Sequence, residues 1–233
     1  MDIVYPIKRT KENKELIYSL RSLQYIQHDK VFIIGDLPDF PIANINYISS
    51  NNLDSRYETT TNHIKTACQC KGISDDFILM NDDFYFIKPT TIEDLNLDRG
   101  LLKEVVNFYR KNHNPMARYD KLVEQTYLHL KELGLVTARS FELHAPMIIN
   151  KTKFLSILPL LKSEALHCCK RTIYGNKFLS NTKSIEDVKI LSTQAVDFNK
   201  YDSMQFISTS RAMFSMIEPY LKQKFPNKSI YES

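Results

Sequence analysis

Two adjacent aspartates, Asp82 and Asp83, directly follow a short apolar run from Phe77 to Met80 in this chain. The run is too short for a typical helix and is bounded by charge, which is typical of a strand buried on both faces. Neighbouring carboxylates repel each other and lose solvation, so they need a compensating positive charge. At the carboxyl end of a buried strand, a divalent cation with oxygen ligands can supply that charge. The sequence therefore predicts that Asp82 and Asp83 bind Mn²⁺ or Mg²⁺, unless they only cap a turn and point into water.

A histidine, His144, lies in a second informative stretch, Phe141 to Asn150, which is mostly apolar and predicts another strand. The Ala145-Pro146 pair follows it, and a proline that breaks regular pairing could turn the imidazole toward the ligand edge of the sheet. Such a histidine is either a satisfied core residue or, combined with the aspartate pair, an additional metal ligand or base. We expect His144 to be a third metal ligand or a catalytic residue.

Three cations in the first part of the chain are candidate site residues. Lys8 and Arg9 follow a predicted first strand, Asp2 to Ile7, so they stand at its carboxyl end, which is the ligand edge of a parallel sheet. They are candidates for contacts with a nucleotide or a phosphate. Arg21 lies close to the buried stripe of a helix predicted from about Lys11 to Ile26, where it either extends to solvent or binds an anion or a carboxylate.

Two further arginines could contact a substrate. Arg56 lies in a polar stretch from Asn51 to Asn62, which precedes a helix predicted from His63 to Cys70. That stretch is either a sugar contact or a solvated loop. Arg171 belongs to a pair of cations followed by a predicted turn, in the stretch from Lys170 to Asn176. Such a pair is either a solvated face or a contact for a diphosphate.

The order of the predicted elements indicates the fold class. A first strand, a helix and a second buried strand from Val31 to Asp36 form a strand-helix-strand pattern, which favours an α/β fold with a mainly parallel sheet flanked by helices. Two helical patterns follow between about residues 90 and 135, and predict a helical insert that could serve as a lid or an acceptor platform. Repeats, low-complexity segments and Pro/Gly-rich linkers are absent, so we expect a single catalytic domain over residues 1–233.

Composition excludes some classes of protein. The hydrophobic fraction of 43% and the charged fraction of 25% are those of an ordinary globular protein. No segment approaches the roughly 18 consecutive apolar residues of a membrane span, and Met1 to Val4 lack the layout of a signal peptide. We therefore expect a cytoplasmic protein without a transmembrane segment. The net charge of +4 suits an anionic small substrate and also permits a nucleic-acid acceptor.

Four stretches of the chain follow one another in a recognisable order: Glu15–Leu23, Val31–Pro38, Phe77–Phe86 and the segment around His144, Ala145 and Pro146. They resemble successive blocks of the Stealth proteins, with similar order and spacing over about the first ninety residues. The Stealth proteins are sugar-phosphate transferases of capsule biosynthesis related to the lysosomal-enzyme N-acetylglucosamine phosphotransferase.

The resemblance implies a nucleotide-diphospho-sugar transferase fold of the GT-A kind, with Asp82 and Asp83 as metal and phosphate ligands. It also implies that Arg21 is a site residue and that His144 is catalytic or binds the metal. The opening block differs, since the family has a strand followed by a Trp-Val-Asp-Gly type of turn where this chain has Tyr5–Arg9 and no tryptophan. Two modes of donor cleavage therefore stay open: transfer of the sugar alone, as in ordinary glycosyltransferases, and transfer of the sugar 1-phosphate, as in Stealth proteins.

These observations predict a metal-dependent glycosyltransferase that moves a sugar from a nucleotide-diphospho-sugar, with a UDP-sugar as the first donor to consider, to a hydroxyl of a glycan or of modified DNA. Asp83 would hold the cation against the diphosphate, and Asp82 would bind the ribose or a metal-bound water. One alternative is Stealth-like transfer of a sugar 1-phosphate, with His144 as the base. Another is a non-catalytic module that binds a nucleotide sugar or nucleic acid. The expected donor contacts are Lys8, Arg9, Asn81, Arg56 and Arg171.

Overall fold

A computed structural model describes residues 1–8, 13–113, 115–161, 169–191 and 196–233. Strands and helices alternate along most of its length. The strands are β1 (Asp2–Ile7), β2 (Val31–Gly35), β3 (Ile45–Ser49), β4 (Asp76–Leu79), β5 (Phe84–Phe86), β6 (Leu97–Asp98), β7 (Met147–Asn150), β8 (Lys183–Ser184), β9 (Lys189–Ile190) and β10 (Phe206–Thr209). The α-helices are α1 (Lys14–Ser22), α2 (Arg56–Gln69), α3 (Leu102–Asn112), α4 (Arg118–Glu132), α5 (Lys151–Ile157), α6 (Lys170–Phe178), α7 (Phe198–Ser203) and α8 (Phe214–Lys224).

The chain divides into two compact units. The first consists of Met1–Leu95, His144–Lys151 and Val188–Ser233, and the second of Asn96–Leu143 and Thr152–Asp187. Helices α3 and α4 lie in the region predicted as a helical insert and belong to the second unit.

The first unit is built on a five-stranded sheet in the order β3-β2-β1-β4-β7. The first four of these strands are parallel, and β7 alone runs antiparallel to its neighbour β4. Every residue of β2 is buried, as are all but one of β1, because both strands carry apolar side chains on each face. The predicted α/β class with a mainly parallel sheet flanked by helices is confirmed.

The strand order reverses once, between β1 and β4. From β1 the chain proceeds outward to β2 and β3, and then returns to the other side of β1 to form β4. Open parallel sheets bind their ligands outside the carboxyl ends of the strands at such a reversal. In this chain that position lies between Lys8, which follows β1, and Asn81 to Asp83, which follow β4.

Gly35, the last residue of β2, has a backbone φ of +115°, a conformation that side-chain-bearing residues rarely adopt. A Cβ atom at this position would lie 2.3 Å from the carbonyl oxygen of Ile7 and 2.4 Å from Cε1 of His63. Glycine is therefore required both by the backbone and by the close approach of His63 to this end of the sheet.

Helix α2 begins at Arg56, seven residues earlier than predicted. Ser55 Oγ accepts a hydrogen bond from the backbone N–H of Glu58, and the Glu58 carboxylate accepts one from the Ser55 N–H, each at 3.1 Å. This reciprocal cap fixes the start of the helix. The threonines at positions 59–61 have low helix propensity. Within the helix, however, the hydroxyls of Thr60 and Thr61 donate hydrogen bonds to the backbone carbonyls four residues earlier. The predicted helix start at His63 was therefore wrong, and the solvated loop, one of the two possibilities for residues 51–62, does not extend beyond Ser55.

A second, three-stranded sheet in the first unit has the order β5-β10-β9. Strand β10 pairs antiparallel with β5 and parallel with β9. Helix α8 packs on this sheet through an apolar cluster that is rich in aromatic side chains. The buried members of the cluster are Tyr18, Tyr85, Ile87, Ile190, Tyr201, Ile207, Met213, Phe214, Ile217, Tyr220, Leu221 and Phe225.

The second unit contains α3, α4, α6 and the short parallel pair β6-β8. The turn predicted after Lys170 and Arg171 is wrong, because α6 continues through this stretch to Phe178. Gly175 does not break the helix, since its missing side chain makes room for the ring of Phe141, which would lie 2.4 Å from a Cβ atom there.

Within the part of the chain that the structure describes, no helix combines the length and the apolar character that crossing a bilayer requires.

Candidate functional site

The candidate site is the turn from Asn81 to Phe84, which follows β4 at the carboxyl edge of the main sheet. The backbone N–H of Phe84 donates to the Asn81 carbonyl at 3.3 Å, and this contact turns the chain from β4 into β5. Buried strands precede and follow the turn, whereas Asn81, Asp82 and Asp83 are each half-buried. Two carboxylates are thus held at the reversal of strand order by rigid elements on both sides.

Among the described residues, Asp83 has partners on one of its two carboxylate oxygens only. Its Oδ2 accepts a hydrogen bond from Ser208 Oγ at 3.3 Å and lies 3.5 Å from the ammonium of Lys189. Its Oδ1 is buried and has no hydrogen-bond partner among the described residues. Because a buried carboxylate oxygen without a partner costs free energy, this atom is a candidate ligand for a cation.

Asp82 lies in an unfavourable environment for a negative charge. Burial is the main cause that raises the pKa of its carboxyl group, from 3.8 to about 7, and the charges of Asp83 and Glu15 raise it further. Hydrogen bonding to its own backbone and the charge of Arg56 act in the opposite direction. The charges of Asp83 and Glu15 therefore both act on Asp82, and a bound cation would relieve this repulsion.

The chemistry of the turn suits a hard cation. Carboxylate oxygens are the ligands that Mg²⁺ and Mn²⁺ prefer, and Asp83 Oδ1 offers one with no other partner among the described residues. However, those residues contain no group of three or more His, Cys, Asp or Glu side chains that could hold a metal ion. A cation bound by Asp82 and Asp83 would therefore keep positions open for water or for phosphate oxygens.

His144 lies beside this turn, although not in a strand as predicted. The predicted strand from Phe141 is wrong over its first six residues, because β7 begins only at Met147, after Pro146, which has no N–H to donate. Antiparallel pairing places Met147 opposite Leu79, so His144 precedes β7 at the same edge where β4 ends. Its ring packs edge-on against Phe84, with 6.5 Å between the ring centroids. The assignment of His144 as metal ligand or base stays a prediction.

Arg21 is bound to a carboxylate, one of the two possibilities that the sequence left open. Its Nε and Nη2 donate to the two carboxylate oxygens of Glu232 at 2.8 and 2.7 Å, and Nη1 donates to the Phe225 carbonyl at 3.0 Å. The hydrogen bonds that Arg21 donates to Glu232 raise the pKa of its guanidinium. All three nitrogens of the guanidinium are thus directed to the C-terminal segment, and this geometry does not bring Arg21 to the aspartate turn.

Two of the remaining predicted cations stand at the ligand edge. Lys8 is exposed directly after β1, and Arg56 is exposed at the first position of α2, where its charge acts on Asp82. Arg9 lies outside the described residues. The edge therefore carries two exposed cations, and the charge of one of them, Arg56, reaches Asp82; exposed cations at a ligand edge suit a site for an anionic ligand.

Arg171 belongs to α6 in the second unit. Burial lowers its pKa, while the charges of Glu142 and Asp187 and the hydroxyl of Tyr119 oppose that effect. Glu142 also accepts hydrogen bonds from Thr172, at the start of the same helix. Arg171 thus lies among acidic side chains of its own unit, and its assignment as a phosphate contact stays a prediction.

Sequence reasoning missed three residues that act on the aspartates of this turn from other elements. Glu15 lies in the first turn of α1, the helix that follows β1, so the same edge rule that selected Lys8 could have found it. Lys189 and Ser208 carry no comparable signal. They reach Asp83 only because β9 and β10 pair with each other and with β5, more than a hundred residues after the turn.

A scan against protein-family models finds no family that matches the chain, and a comparison with curated proteins finds no match either. The resemblance to the Stealth proteins therefore stays a prediction, and the functional assignment depends on the geometry of the aspartate turn.

Proposed function

We propose that this protein is a metal-dependent glycosyltransferase of the GT-A kind, acting on a nucleotide-diphospho-sugar at the edge between β1 and β4. The observation that carries the proposal is the buried Oδ1 of Asp83, which has no hydrogen-bond partner among the described residues. It lies next to Asp82, a second carboxylate whose burial raises its pKa to about 7. Acidic groups in such an unfavourable state, at the ligand edge of an α/β sheet, are typical of functional sites.

In this proposal Asp82 and Asp83 hold a divalent cation. When bound, the cation acts as a Lewis acid that offsets the charge of the departing nucleoside diphosphate. Lys8 and Arg56 attract the anionic donor to the edge from the solvent side, because both are exposed and cationic. The rigid turn between β4 and β5 fixes the orientation of the two carboxylates before the donor arrives.

His144 is the proposed base. It lies at the same edge as the aspartate turn and packs against Phe84, the residue that follows Asp83. An imidazole in this position can accept the proton of the acceptor hydroxyl as that hydroxyl attacks. The acceptor is a glycan or the modified base of a DNA, and both carry hydroxyl groups that suit this role.

A nucleic-acid-binding module without activity is less well supported. Such modules owe most of their affinity to cations that contact phosphates, whereas Glu15, Asp82 and Asp83 concentrate negative charge at this edge. Without a metal ion these carboxylates would repel a phosphate backbone. A diphosphate that binds the same cation as the carboxylates is not repelled in this way.

The test is to incubate the protein with Mn²⁺ and a panel of nucleotide sugars, with and without EDTA, and to identify the released nucleotide by mass spectrometry. Release of a nucleoside diphosphate that needs the metal supports the proposal. Release of a nucleoside monophosphate would instead show attack at phosphorus, and the proposed function would then be that of a sugar 1-phosphate transferase. Asp83→Asn should abolish the release, whereas Asp54→Asn, at an exposed site, should not.

Binding of Mn²⁺ provides a readout that does not depend on turnover. Titration calorimetry should show one Mn²⁺ bound by the wild type and by Asp54→Asn, with at least tenfold weaker binding by Asp83→Asn. Equal Mn²⁺ affinity in all three proteins would contradict the assignment of Asp83 as a ligand, whatever the activity assay gives.

A further inference from the structure

Lys189 lies on β9, far along the chain from the aspartate turn, and no sequence pattern assigns it a function. We propose that Lys189 binds the diphosphate of the donor and that, before the cation arrives, its ammonium partly neutralises Asp83. This inference rests on the proposed function, since it assigns one more contact in the same site.

The position of Lys189 is fixed by its strand while its ammonium is loosely held. Lys189 is the register partner of Ser208 in the parallel pair β9-β10, so both side chains are brought to Asp83. The distance of 3.5 Å from Nζ to Asp83 Oδ2 exceeds the roughly 2.7–2.9 Å of a strong charged hydrogen bond. A lysine carries its charge on a flexible four-carbon stem, so the ammonium can leave this weak contact for a phosphate oxygen.

A cation at this position suits the charges around the turn. A diphosphate brings further negative charge close to the carboxylates of Asp82 and Asp83, so a nearby cation favours its binding. Arg56 is exposed, where water and salt screen its charge. The Lys189 side chain is only 20% exposed and contacts Asp83 directly, so its charge acts on the site with less screening.

Two consequences separate this role from a structural one. The lysine and a metal ion both seek the Asp83 carboxylate, so removing the lysine should leave Mn²⁺ binding unchanged or make it tighter. The same removal should weaken the binding of a nucleoside diphosphate, because one of its cationic contacts is lost. If Lys189 had only a structural role, its removal would displace Asp83 and would weaken the binding of Mn²⁺ and of the diphosphate together.

The experiment compares the wild type with Lys189→Gln, Lys189→Arg and the control Lys200→Gln, whose lysine is exposed on α7. Calorimetry measures Mn²⁺ alone, and then UDP, GDP, CDP and ADP at saturating Mn²⁺, carrying forward the diphosphate that binds the wild type best. We expect Lys189→Gln to bind that diphosphate at least tenfold more weakly and Mn²⁺ at least as tightly. Lys189→Arg, which keeps the charge, should stay within a few-fold of the wild type, as should Lys200→Gln.

The outcomes distinguish this inference from the proposed function. If the wild type binds none of the diphosphates with Mn²⁺, the proposed function fails and the role of Lys189 fails with it. If the wild type binds one and Lys189→Gln binds it equally well, only the role of Lys189 is overturned. A parallel loss of Mn²⁺ and diphosphate in Lys189→Gln, with the loss persisting in Lys189→Arg, would also overturn it in favour of a packing role.

Discussion

Replacing Asp82 by Asn should make the protein more stable at alkaline pH. Burial, together with the charges of Asp83 and Glu15, raises the pKa of the Asp82 carboxyl from 3.8 to about 7. In the folded protein the group therefore keeps its proton up to about neutral pH, whereas the unfolded chain loses it near pH 4. An asparagine has nearly the same shape as the protonated acid and never becomes charged, so it avoids the cost of the buried charge.

The sign and size of the effect follow from proton linkage. Between about pH 4 and pH 7 the folded state binds more protons than the unfolded state, so the free energy of unfolding of the wild type falls as the pH rises. A shift of about three pKa units corresponds to about 4 kcal/mol as an upper bound. Since Asp82 is half-buried and retains some contact with water, we expect a gain of about 1–3 kcal/mol for Asp82→Asn above pH 7 and almost none near pH 4.

Urea unfolding in EDTA at pH 4.5 and pH 8.0 measures this difference. The control is Asp54→Asn, which removes one carboxylate at an exposed position and should change the stability by less than about 0.5 kcal/mol at either pH. In thermal unfolding, a gain of 1 kcal/mol corresponds to about 2–4 °C for a chain of this size. A difference between Asp82→Asn and the wild type that does not change with pH would refute the reasoning, as would a loss of stability at pH 8.0.

Three other substitutions test the positions of neighbouring residues. Arg21→Met should cost about 3–5 kcal/mol in urea unfolding, because it leaves the largely buried carboxylate of Glu232 without its cationic partner. It should leave nucleotide binding unchanged in the folded fraction, and a folded variant that binds no nucleotide would restore a role for Arg21 in the site. Gly35→Ala should fold poorly or not at all, as judged by soluble yield and circular dichroism, whereas Gly72→Ala, where the nearest atom to a new Cβ lies 3.7 Å away, should fold normally. Ser55→Ala should lower the free energy of unfolding by about 1 kcal/mol, and an unchanged value would contradict the capping role.

The main sheet could be predicted from the sequence because its strands are continuous apolar runs. The bounds of β1 match the prediction, and β2 ends one residue before the predicted limit. The start of α2 could not be predicted from helix propensity, since it depends on the reciprocal cap between Ser55 and Glu58. The strand predicted around His144 was wrong because apolar composition was taken as the signal for a strand, whereas Pro146 interrupts the pairing and delays the start of β7 to Met147.

The candidate site could be predicted only in part. Asp82 and Asp83 were found because an acidic pair after a buried strand is a local pattern. Lys189 and Ser208 complete the surroundings of Asp83 through strand pairing over more than a hundred residues, and no local pattern indicates such a contact. Arg21 shows the converse, since its sequence context suggested a site residue and its partner, Glu232, lies at the far end of the chain.

A second buried carboxylate, Asp98, shows what a structural aspartate looks like in this chain. Burial by itself would raise the pKa of Asp98, but hydrogen bonds from Arg139 and from Thr182 hold it below the ordinary value. Asp82 and Asp83 lack such a set of donors: the pKa of Asp82 is raised, and Asp83 Oδ1 has no hydrogen-bond partner in the described part of the chain. Hydrogen-bond donors thus surround the carboxylate of Asp98, whereas the carboxylates of Asp82 and Asp83 at the ligand edge have fewer hydrogen bonds among the described residues. In our proposal, a divalent cation supplies the pair with the further positive charge that this environment favours.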